Sequence, residues 1–371
     1  MVGQLISRKQ RLAERVGFRR PSERTRGCEE DIHGWEQVLS RPGGISVAAA
    51  QLRQLGQSKS LSEGKLLHSL LRVRGIDRLT FIGNCLIEMY ANCGCPHDAR
   101  IAFGRLPHPN VFSWNMLIKA YAQNDHVQNA FHVFCSTPLR DSVTWNAMIS
   151  AFAHHGLGSQ ALHLFYQMKE EGFVQDKISF IGALDACILL RPVNIHLGRD
   201  IHAEVVGFGF EQNVLVSTAV LNMYGKCGSP YNAEMVFQRI DGCRNMVTWS
   251  AMIAAYAHNG YEKEAIGLFR KMEDQRIVPN EVTSRSVLTA CSYAGEITSG
   301  LHSFLSRGHI NGLSPTEEEH SLSIIDLLGR AGRLDEAEDV VNWVPKEKKV
   351  MAWACLLGAC RMHDDVDRGV K

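Results

Sequence analysis

The feature that most constrains the fold of this chain is a 35-residue stretch that occurs twice. Residues 142–176 and 246–280 share one skeleton, which runs Thr-Trp, Ala-Met-Ile, an aromatic residue, Ala-His, Gly, Ala, Leu-Phe and Met. Self-similarity at a period of this length is typical of proteins built from stacked repeats. The sequence therefore predicts an array of similar supersecondary units, and this question precedes any search for an active site.

Each repeat contains two predicted helices. The second helix carries apolar residues at i, i+3, i+4 and i+7, as in Ala161, Leu164, Phe165 and Met168, and this spacing places one apolar stripe on an amphipathic helix. The first helix is predicted over residues 143–154, and a glycine that can end a helix in the left-handed conformation separates the two. A single hairpin cannot bury both of its faces, so the sequence predicts an all-α stack of hairpins.

A small residue near the start of each second helix marks the repeats along the chain. These markers are Gly64, Ala99, Ala130, Ala161, Gly198, Ala233, Ala265, Gly300 and Ala337. The predicted array covers residues 47–349, with repeats at 47–79 (partial), 80–110, 111–141, 142–176, 177–213, 214–245, 246–280, 281–316 and 317–349. Residues 350–371 begin another hairpin and stop partway, as a truncated extension motif would.

Residues 1–46 do not fit the repeat. Residues 1–27 hold eight Lys or Arg residues against two Glu, and an Arg-rich, acid-poor start is typical of an organellar presequence. A disordered basic leader fits the same composition. The apolar runs of the chain are too short for a transmembrane helix, so no membrane partner is expected.

The eleven cysteines show no paired framework. Cys93 and Cys227 both precede a turn glycine, and Cys187 and Cys291 both lie inside a predicted helix. This recurrence at fixed repeat positions predicts buried thiols in a reducing compartment.

Three characteristic phrases of the sequence are VTWNAMISAFAHHG, NMYGKCGSPYNAEMVF and LDACILLRPVNIHLGRDIHAEVVGFG. They resemble, in that order, the standard, short and long repeats of the pentatricopeptide repeat proteins of land plants, specifically of the PLS subclass. The resemblance covers residues 47–371. It implies a right-handed α-solenoid that binds single-stranded RNA in a concave groove, one base per repeat. It also implies an organellar role, in the mitochondrion or the chloroplast, as a site-recognition factor for C-to-U RNA editing.

Within that family, the fifth and last residues of a repeat specify a base, and the apolar second residue packs beside the base. The implied pairs are Asn84 with Asn110, Asn115 with Asp141, Asn146 with Asp176, Thr218 with Asn245, and Ser250 with Asn280. The implied second-position residues are Phe81, Phe112, Val143, Leu215 and Val247. The family's code then reads C, U, U, a skipped long repeat, A and A, from 5′ to 3′. Three fifth positions depart from the pattern: Ile181, Arg285 and Leu322.

Two observations favour other interpretations. A single Asn or Asp near a helix start is commonly an N-cap, although five repeats with polar residues at the same two positions strengthen the RNA interpretation. Residues 1–46 hold nine basic and six acidic residues, which leaves 31 against 33 in the remainder. A non-specific nucleic-acid binder would be strongly basic, so a scaffold that binds protein is the alternative function.

No catalytic constellation is predicted, so neither enzymatic activity nor a cofactor is expected. The run from His202 to Glu204 matches the His-x-Glu of a zinc deaminase, but the Cys-x-x-Cys that completes such a site occurs nowhere in the sequence. A deaminase or other editing-complex protein would therefore be a separate partner. Tryptophans recur at the fourth position of a repeat, where packing between hairpins is expected: Trp114, Trp145, Trp249 and Trp353.

Overall fold

The structure is a computed structural model that describes residues 35, 39, 41–190, 195–240, 244–294, 317–344, 347–363 and 365. This part of the chain contains eighteen α-helices and two short 3-10 helices, with no β-strand. None of its helices has the length and apolar character that a membrane crossing requires. The predicted leader lies almost entirely outside the described residues, as do the marker Gly300 and most of residues 364–371.

The chain divides into two compact units, Met1–Thr137 and Pro138–Lys371. The described part of the N-terminal unit contains six helices: α1 (Gly44–Gln57), α2 (Leu61–Val73), α3 (Thr80–Asn92), α4 (Pro96–Gly104), α5 (Val111–Ala122) and α6 (Val127–Ser136). They form three hairpins. The first helices pack in a row, α1 on α3 and α3 on α5, while each second helix packs on the first helix of its own hairpin.

The C-terminal unit continues the pattern with helices α7 to α18. They are α7 (Ser142–His154), α8 (Gly158–Glu170), α9 (Lys177–Leu189), α10 (Ile195–Gly207), α11 (Val214–Lys226), α12 (Pro230–Arg239), α13 (Met246–His258), α14 (Glu262–Asp274), α15 (Glu281–Ala294), α16 (Glu317–Arg330), α17 (Leu334–Trp343) and α18 (Lys349–Met362). The first helices again form a row through α7, α9, α11, α13, α15 and α16. The predicted all-α architecture of stacked helix–turn–helix hairpins is confirmed in each unit.

The turns between the two helices of a hairpin are closed by a left-handed residue. Gly156 has φ 76°, and the amide of Leu157 donates to the carbonyl of Phe152 at 2.9 Å, which is the hydrogen bond of a Schellman cap. The repeat at 111–141 has no glycine here, and Asp125 adopts φ 62° instead. The backbone therefore requires the same conformation in both repeats, and glycine supplies it at the lower cost.

The apolar stripe of the second helices forms the core. Ala161, Leu164, Phe165 and Met168 are each at most 2% exposed, as the periodicity predicts. Trp249 is also buried, and its ring meets that of Phe237, from the preceding hairpin, edge to face at 5.2 Å.

The other tryptophans and the cysteines follow their predictions in part. Trp145 is completely buried, and the half-buried Trp114 meets the ring of Phe103, from the preceding hairpin, edge to face at 4.7 Å. Packing is therefore confirmed for Trp114, Trp145 and Trp249, whereas Trp353 is half-buried. Cys187 and Cys291 are buried. The predicted burial is wrong for Cys93 and Cys227, which are half-buried because they lie at helix ends beside the turn rather than inside a helix.

The marker glycines of the repeats at 47–79 and 177–213 allow close packing between hairpins. A Cβ on Gly198 would lie 2.4 Å from the sulfur of Met223, and one on Gly64 would lie 2.6 Å from the sulfur of Met89. Real Cβ atoms do not approach so closely, so a side chain here would push the methionine away. Glycine therefore replaces the usual alanine where a second helix meets the next first helix most tightly.

Candidate nucleic-acid interface

In the seven repeats from 80–110 to 281–316, the second residue of the first helix is apolar and exposed, whereas α16 carries Glu318 at this position. The five predicted residues are 49–69% exposed: Phe81, Phe112, Val143, Leu215 and Val247. The long repeats present Ile178 and Val282 at the same position, 55% and 52% exposed. Apolar side chains that recur at one exposed position indicate an interaction surface.

The fifth residues lie one turn further along the same helix face, since residues three apart are neighbours on a helix. We call the face formed by the second and fifth residues the reading face. Asn84, Asn146, Thr218 and Ser250 are only 3–8% exposed, and Asn115 is half-buried. Within each unit, the reading face therefore carries exposed apolar residues beside nearly buried polar ones.

In each of the five repeats with an implied base-specifying pair, the last residue caps the first helix of the next repeat. The backbone amides of Ile178 and Ser179 both donate to Asp176 Oδ1 at 2.9 Å, and the Ser179 hydroxyl completes a capping box. The same capping role is filled by Asn110, Asp141, Asn245 and Asn280. The N-cap interpretation of these residues is thus correct, and it leaves their remaining polar atoms for other contacts.

Two of the predicted pairs are joined by hydrogen bonds. Asn146 Nδ2 donates to both carboxylate oxygens of Asp176 at 2.9 Å. Ser250 Oγ donates to Asn280 Oδ1 at 3.1 Å. The fifth and last residues of these repeats therefore meet in space although 30 residues separate them in sequence.

The remaining pairs are arranged differently. Thr218 Oγ1 donates to the carbonyl of Val214 at 2.6 Å, within its own helix, while Asn245 caps α13. Asn115 belongs to the N-terminal unit and Asp141 to the C-terminal one. The pairing of Asn115 with Asp141 therefore remains a prediction from the sequence.

A concave cavity of about 360 Å³ lies on the reading face of the N-terminal unit. It is lined by the pair Asn84 and Asn110, by the rings of Phe81 and Phe112, and by two charged residues, Arg53 and Glu88. The Oδ1 atom of Asn84 is buried and accepts no hydrogen bond from any described residue. A ligand with an N–H donor would satisfy it, because an unpaired buried acceptor costs free energy.

The sequence interpretation missed one residue of this surface and one at the hairpin turns. Arg53 belongs to the partial first repeat, for which no reading residue was predicted. Asn259 was also missed; its Nδ2 donates to the carbonyl of Gly225 at 2.7 Å and to that of Ala255 at 2.6 Å, which joins the ends of two first helices. Its counterpart Asn124 shares the position just before the turn residue, so an alignment of the repeats could have found both.

Two of the three departures, Ile181 and Arg285, place no buried polar side chain at the fifth position. In the repeat 317–349, counted from its first residue, Leu322 is sixth and the buried Ser321 is fifth. Ile181 and Leu322 are half-buried apolar residues, and Arg285 is exposed. The reading face of α9 therefore differs in chemistry from that of α7, although the two helices pack side by side.

The His-x-Glu run is divided between two separate contacts. His202 Nδ1 lies 3.0 Å from the hydroxyl of Tyr224, and burial lowers the pKa of His202. Glu204 instead accepts a hydrogen bond from Lys169 Nζ at 2.9 Å. Across the part of the chain that the structure describes, no group of three or more His, Cys, Asp and Glu residues could hold a metal ion.

Comparison with known proteins connects the chain to a family. The PPR repeat family matches residues 244–292, and the PPR repeat matches residues 112–136, 143–173, 216–244 and 322–342. A chloroplastic pentatricopeptide repeat-containing protein of Arabidopsis thaliana is 32% identical over 321 residues, which is 86% of this chain. A mitochondrial one is 30% identical over 309 residues, or 83% of this chain.

Solved structures show the same fold. The pentatricopeptide repeat protein PPR10 from maize, in complex with an 18-nt psaJ RNA element, superposes on 91% of this chain with a TM-score of 0.69 and 16% identity. At that identity the likeness concerns the fold. The chain spans 41% and 43% of the two Arabidopsis relatives and 50% of the maize protein.

Proposed function

The chain is a pentatricopeptide repeat protein of the land-plant type, and we propose that it binds a single-stranded RNA by sequence. The observation that carries this proposal is the contact between Asn146 and Asp176, at the nearly buried floor of the reading face. Exposed Val143 and Ile178 lie beside that pair, at the second positions of two consecutive first helices. The RNA complex of the maize protein supports the same kind of ligand.

The chemistry of the floor suits the edge of a nucleobase. An Asn amide offers one acceptor and two donors, so it can pair with the N3 edge of a pyrimidine, and a Ser or Thr hydroxyl can donate or accept. A base stacked on an aromatic side chain gains about 1–3 kcal/mol. Phe81 and Phe112 supply such rings, whereas Val143, Leu215 and Val247 supply aliphatic contacts.

The proposed RNA sequence follows from the pairs taken in order. Asn84 with Asn110 takes C, the two Asn–Asp pairs take U, the repeat 177–213 takes any base, and Thr218 and Ser250 with their Asn partners take A. The target is then C-U-U-N-A-A from 5′ to 3′. Outside residues 1–46 the chain holds 31 basic and 33 acidic residues, so contacts to the bases must supply much of the affinity.

We place this activity in a plant organelle, as the chloroplastic and mitochondrial names of its relatives support. Within the organelle we propose recognition of a C-to-U editing site. The chain would position the RNA for a deaminase that a separate protein provides, because His202 and Glu204 are each occupied by a structural contact.

The test is RNA binding by the purified full chain at a stated salt concentration. We expect clear preference for C-U-U-N-A-A over a scrambled RNA. Asp176→Asn is the most informative variant, because Asn and Asp are equally good N-caps, so the helix end is preserved while the pair becomes Asn–Asn. The third base preferred should then change from U to C, and Asn110→Asp should change the first from C to U.

Equal and weak binding of both RNAs would contradict the proposal. It would favour the alternative function, a scaffold that binds protein. The near-neutral charge of residues 47–371 and the exposed apolar second residues are the observations that favour this second candidate.

A further inference from the structure

We propose that Arg53, a residue of the partial first repeat, binds the phosphate on the 5′ side of the first base read. This inference rests on the proposed RNA-binding function and adds a contact outside the fifth and last positions. It concerns the cavity between Phe81 and Phe112 in the N-terminal unit.

The packing of α1 on α3 brings Arg53 to this cavity. Its Cζ atom lies 5.7 Å from the centre of the Phe81 ring. Its Nε atom lies 3.9 Å from Glu88 Oε2, and the two side chains are 52% and 41% exposed. An ion pair that is so long and so exposed contributes little, so a phosphate oxygen can replace the carboxylate as the partner of Arg53.

The floor of the cavity fixes the orientation of the ligand. Asn84 is 8% exposed, and its Oδ1 atom has no donor among the described residues. The amino group of cytosine can supply that donor while the base lies against the exposed rings of Phe81 and Phe112. With the base edge at the floor, the sugar and phosphate must run along the rim.

Arg53 is the single cation among the residues that line the cavity. Its guanidinium can stack on an aromatic ring and still donate two hydrogen bonds to a phosphate. Because α1 precedes the first reading repeat and the RNA is proposed to run 5′ to 3′ along the chain, Arg53 meets the phosphate before the first base.

The experiment measures the affinity of the full chain for an RNA with two nucleotides added before C-U-U-N-A-A, over a range of salt concentrations. Arg53→Ala should weaken binding about five-fold and reduce the slope of log affinity against log salt by about 0.7, the value for one phosphate on a single strand. The ratio of C to U preference at the first base should stay unchanged. Arg53→Lys should restore most of the slope, because it restores the charge.

Arg100→Ala is the matched control. Arg100 also lies 5.7 Å from the centre of a phenylalanine ring, that of Phe103, but it belongs to the second helix α4 and does not line the cavity. Its removal should leave both affinity and slope unchanged.

A second RNA carries a neutral methylphosphonate at the linkage before the first C. The unmodified chain should bind it about five-fold more weakly than the normal RNA, and Arg53→Ala should cause no further loss. Equal behaviour of the Arg53 and Arg100 variants would overturn the inference and leave the proposed function intact. A changed C-to-U ratio in Arg53→Ala would overturn it in favour of a base contact. No discrimination between target and scrambled RNA by the unmodified chain would overturn both proposals.

Discussion

The repeats at 142–176 and 177–213 are neighbours with the same hairpin architecture, yet they use their polar side chains in different places. In the first, Asn146 lies at the floor of the reading face and bonds to Asp176. In the second, the fifth residue is Ile181, and the polar contact is between His202 and Tyr224 of the next repeat. The polar contact of the repeat 177–213 thus joins it to the next hairpin, whereas that of the repeat 142–176 lies at the proposed RNA contact.

The N-terminal unit contains the same kind of contact between hairpins. His68 Nδ1 lies 2.8 Å from the hydroxyl of Tyr90, with the same separation of 22 residues as between His202 and Tyr224. Since a close-packed glycine accompanies each histidine, the repeats at 47–79 and 177–213 share one way of joining the next hairpin.

The largest expected effect is a loss of folding stability on removal of a buried side chain. It tests whether the repeats 142–176 and 177–213 are equally well packed. Trp145 and Phe180 occupy the fourth position of the neighbouring repeats, and both are completely buried. Trp145→Ala and Phe180→Ala should each lower the free energy of unfolding by about 3–5 kcal/mol, measured by urea titration. The exposed Phe112→Ala is the control and should change little. A large loss for one buried residue only would show that one repeat is loosely folded.

The next prediction converts the long repeat into a reading one. Ile181→Asn would create an Asn–Asn pair with Asn213, which already caps α11 through the amide of Val216. We expect the unselective fourth base of the RNA to become C, with a preference of about five-fold, or roughly 1 kcal/mol. Competition binding with the four possible bases measures this. If the position stays unselective, the long repeat differs in backbone placement and not only in its fifth residue.

A smaller effect concerns pH and the junction histidines. Burial lowers the pKa of His68 and His202 below the ordinary value of 6.5. As pH falls, these histidines therefore become protonated in the unfolded chain at a higher pH than in the folded chain. Stability should therefore decline as pH falls below about 6.5. The double variant His68→Gln and His202→Gln should show a shallower decline in thermal unfolding, while His163→Gln, at an exposed position, should follow the unmodified chain.

The smallest change in folding stability is expected on breaking the ion pair between Lys169 and Glu204. Their side chains are 49% and 27% exposed. Lys169→Ala should cost less than about 1 kcal/mol, because exposed pairs are screened by water and salt. Chemical denaturation in low and high salt measures it. A loss above 2 kcal/mol would mean that this pair contributes substantially to the junction between the repeats 142–176 and 177–213.

Much of the fold could be predicted because helix periodicity determines which residues of a helix share a face. The buried stripe of Ala161 to Met168 and the left-handed turn glycines follow from local pattern, whereas Phe81 and Phe112 were singled out only by the family resemblance. The position of Arg53 could not be predicted, because it depends on how α1 packs against α3. The half-burial of Cys93 depends in the same way on how closely a turn approaches its neighbours.

The candidate site was predictable as a set of positions but not as a set of contacts. The family resemblance pointed to Asn146 and Asp176 together. It did not show that Asp176 accepts amide hydrogen bonds at a helix start and also faces Asn146. A single sequence cannot distinguish these two roles of Asp176, because either the helix cap or the contact with Asn146 is enough to explain an Asp at that position.

That double role limits how the specificity of such a chain can change over generations. A substitution of Asp176 by Asn keeps the helix cap, so an exchange between U and C readers is nearly free of folding cost. Replacement by a residue with no short polar side chain would lose about 1 kcal/mol of stability before any new base was gained. Under the proposed code, the set of RNA sequences that this array can reach by single substitutions is therefore restricted by the requirements of helix initiation as well as by those of base pairing.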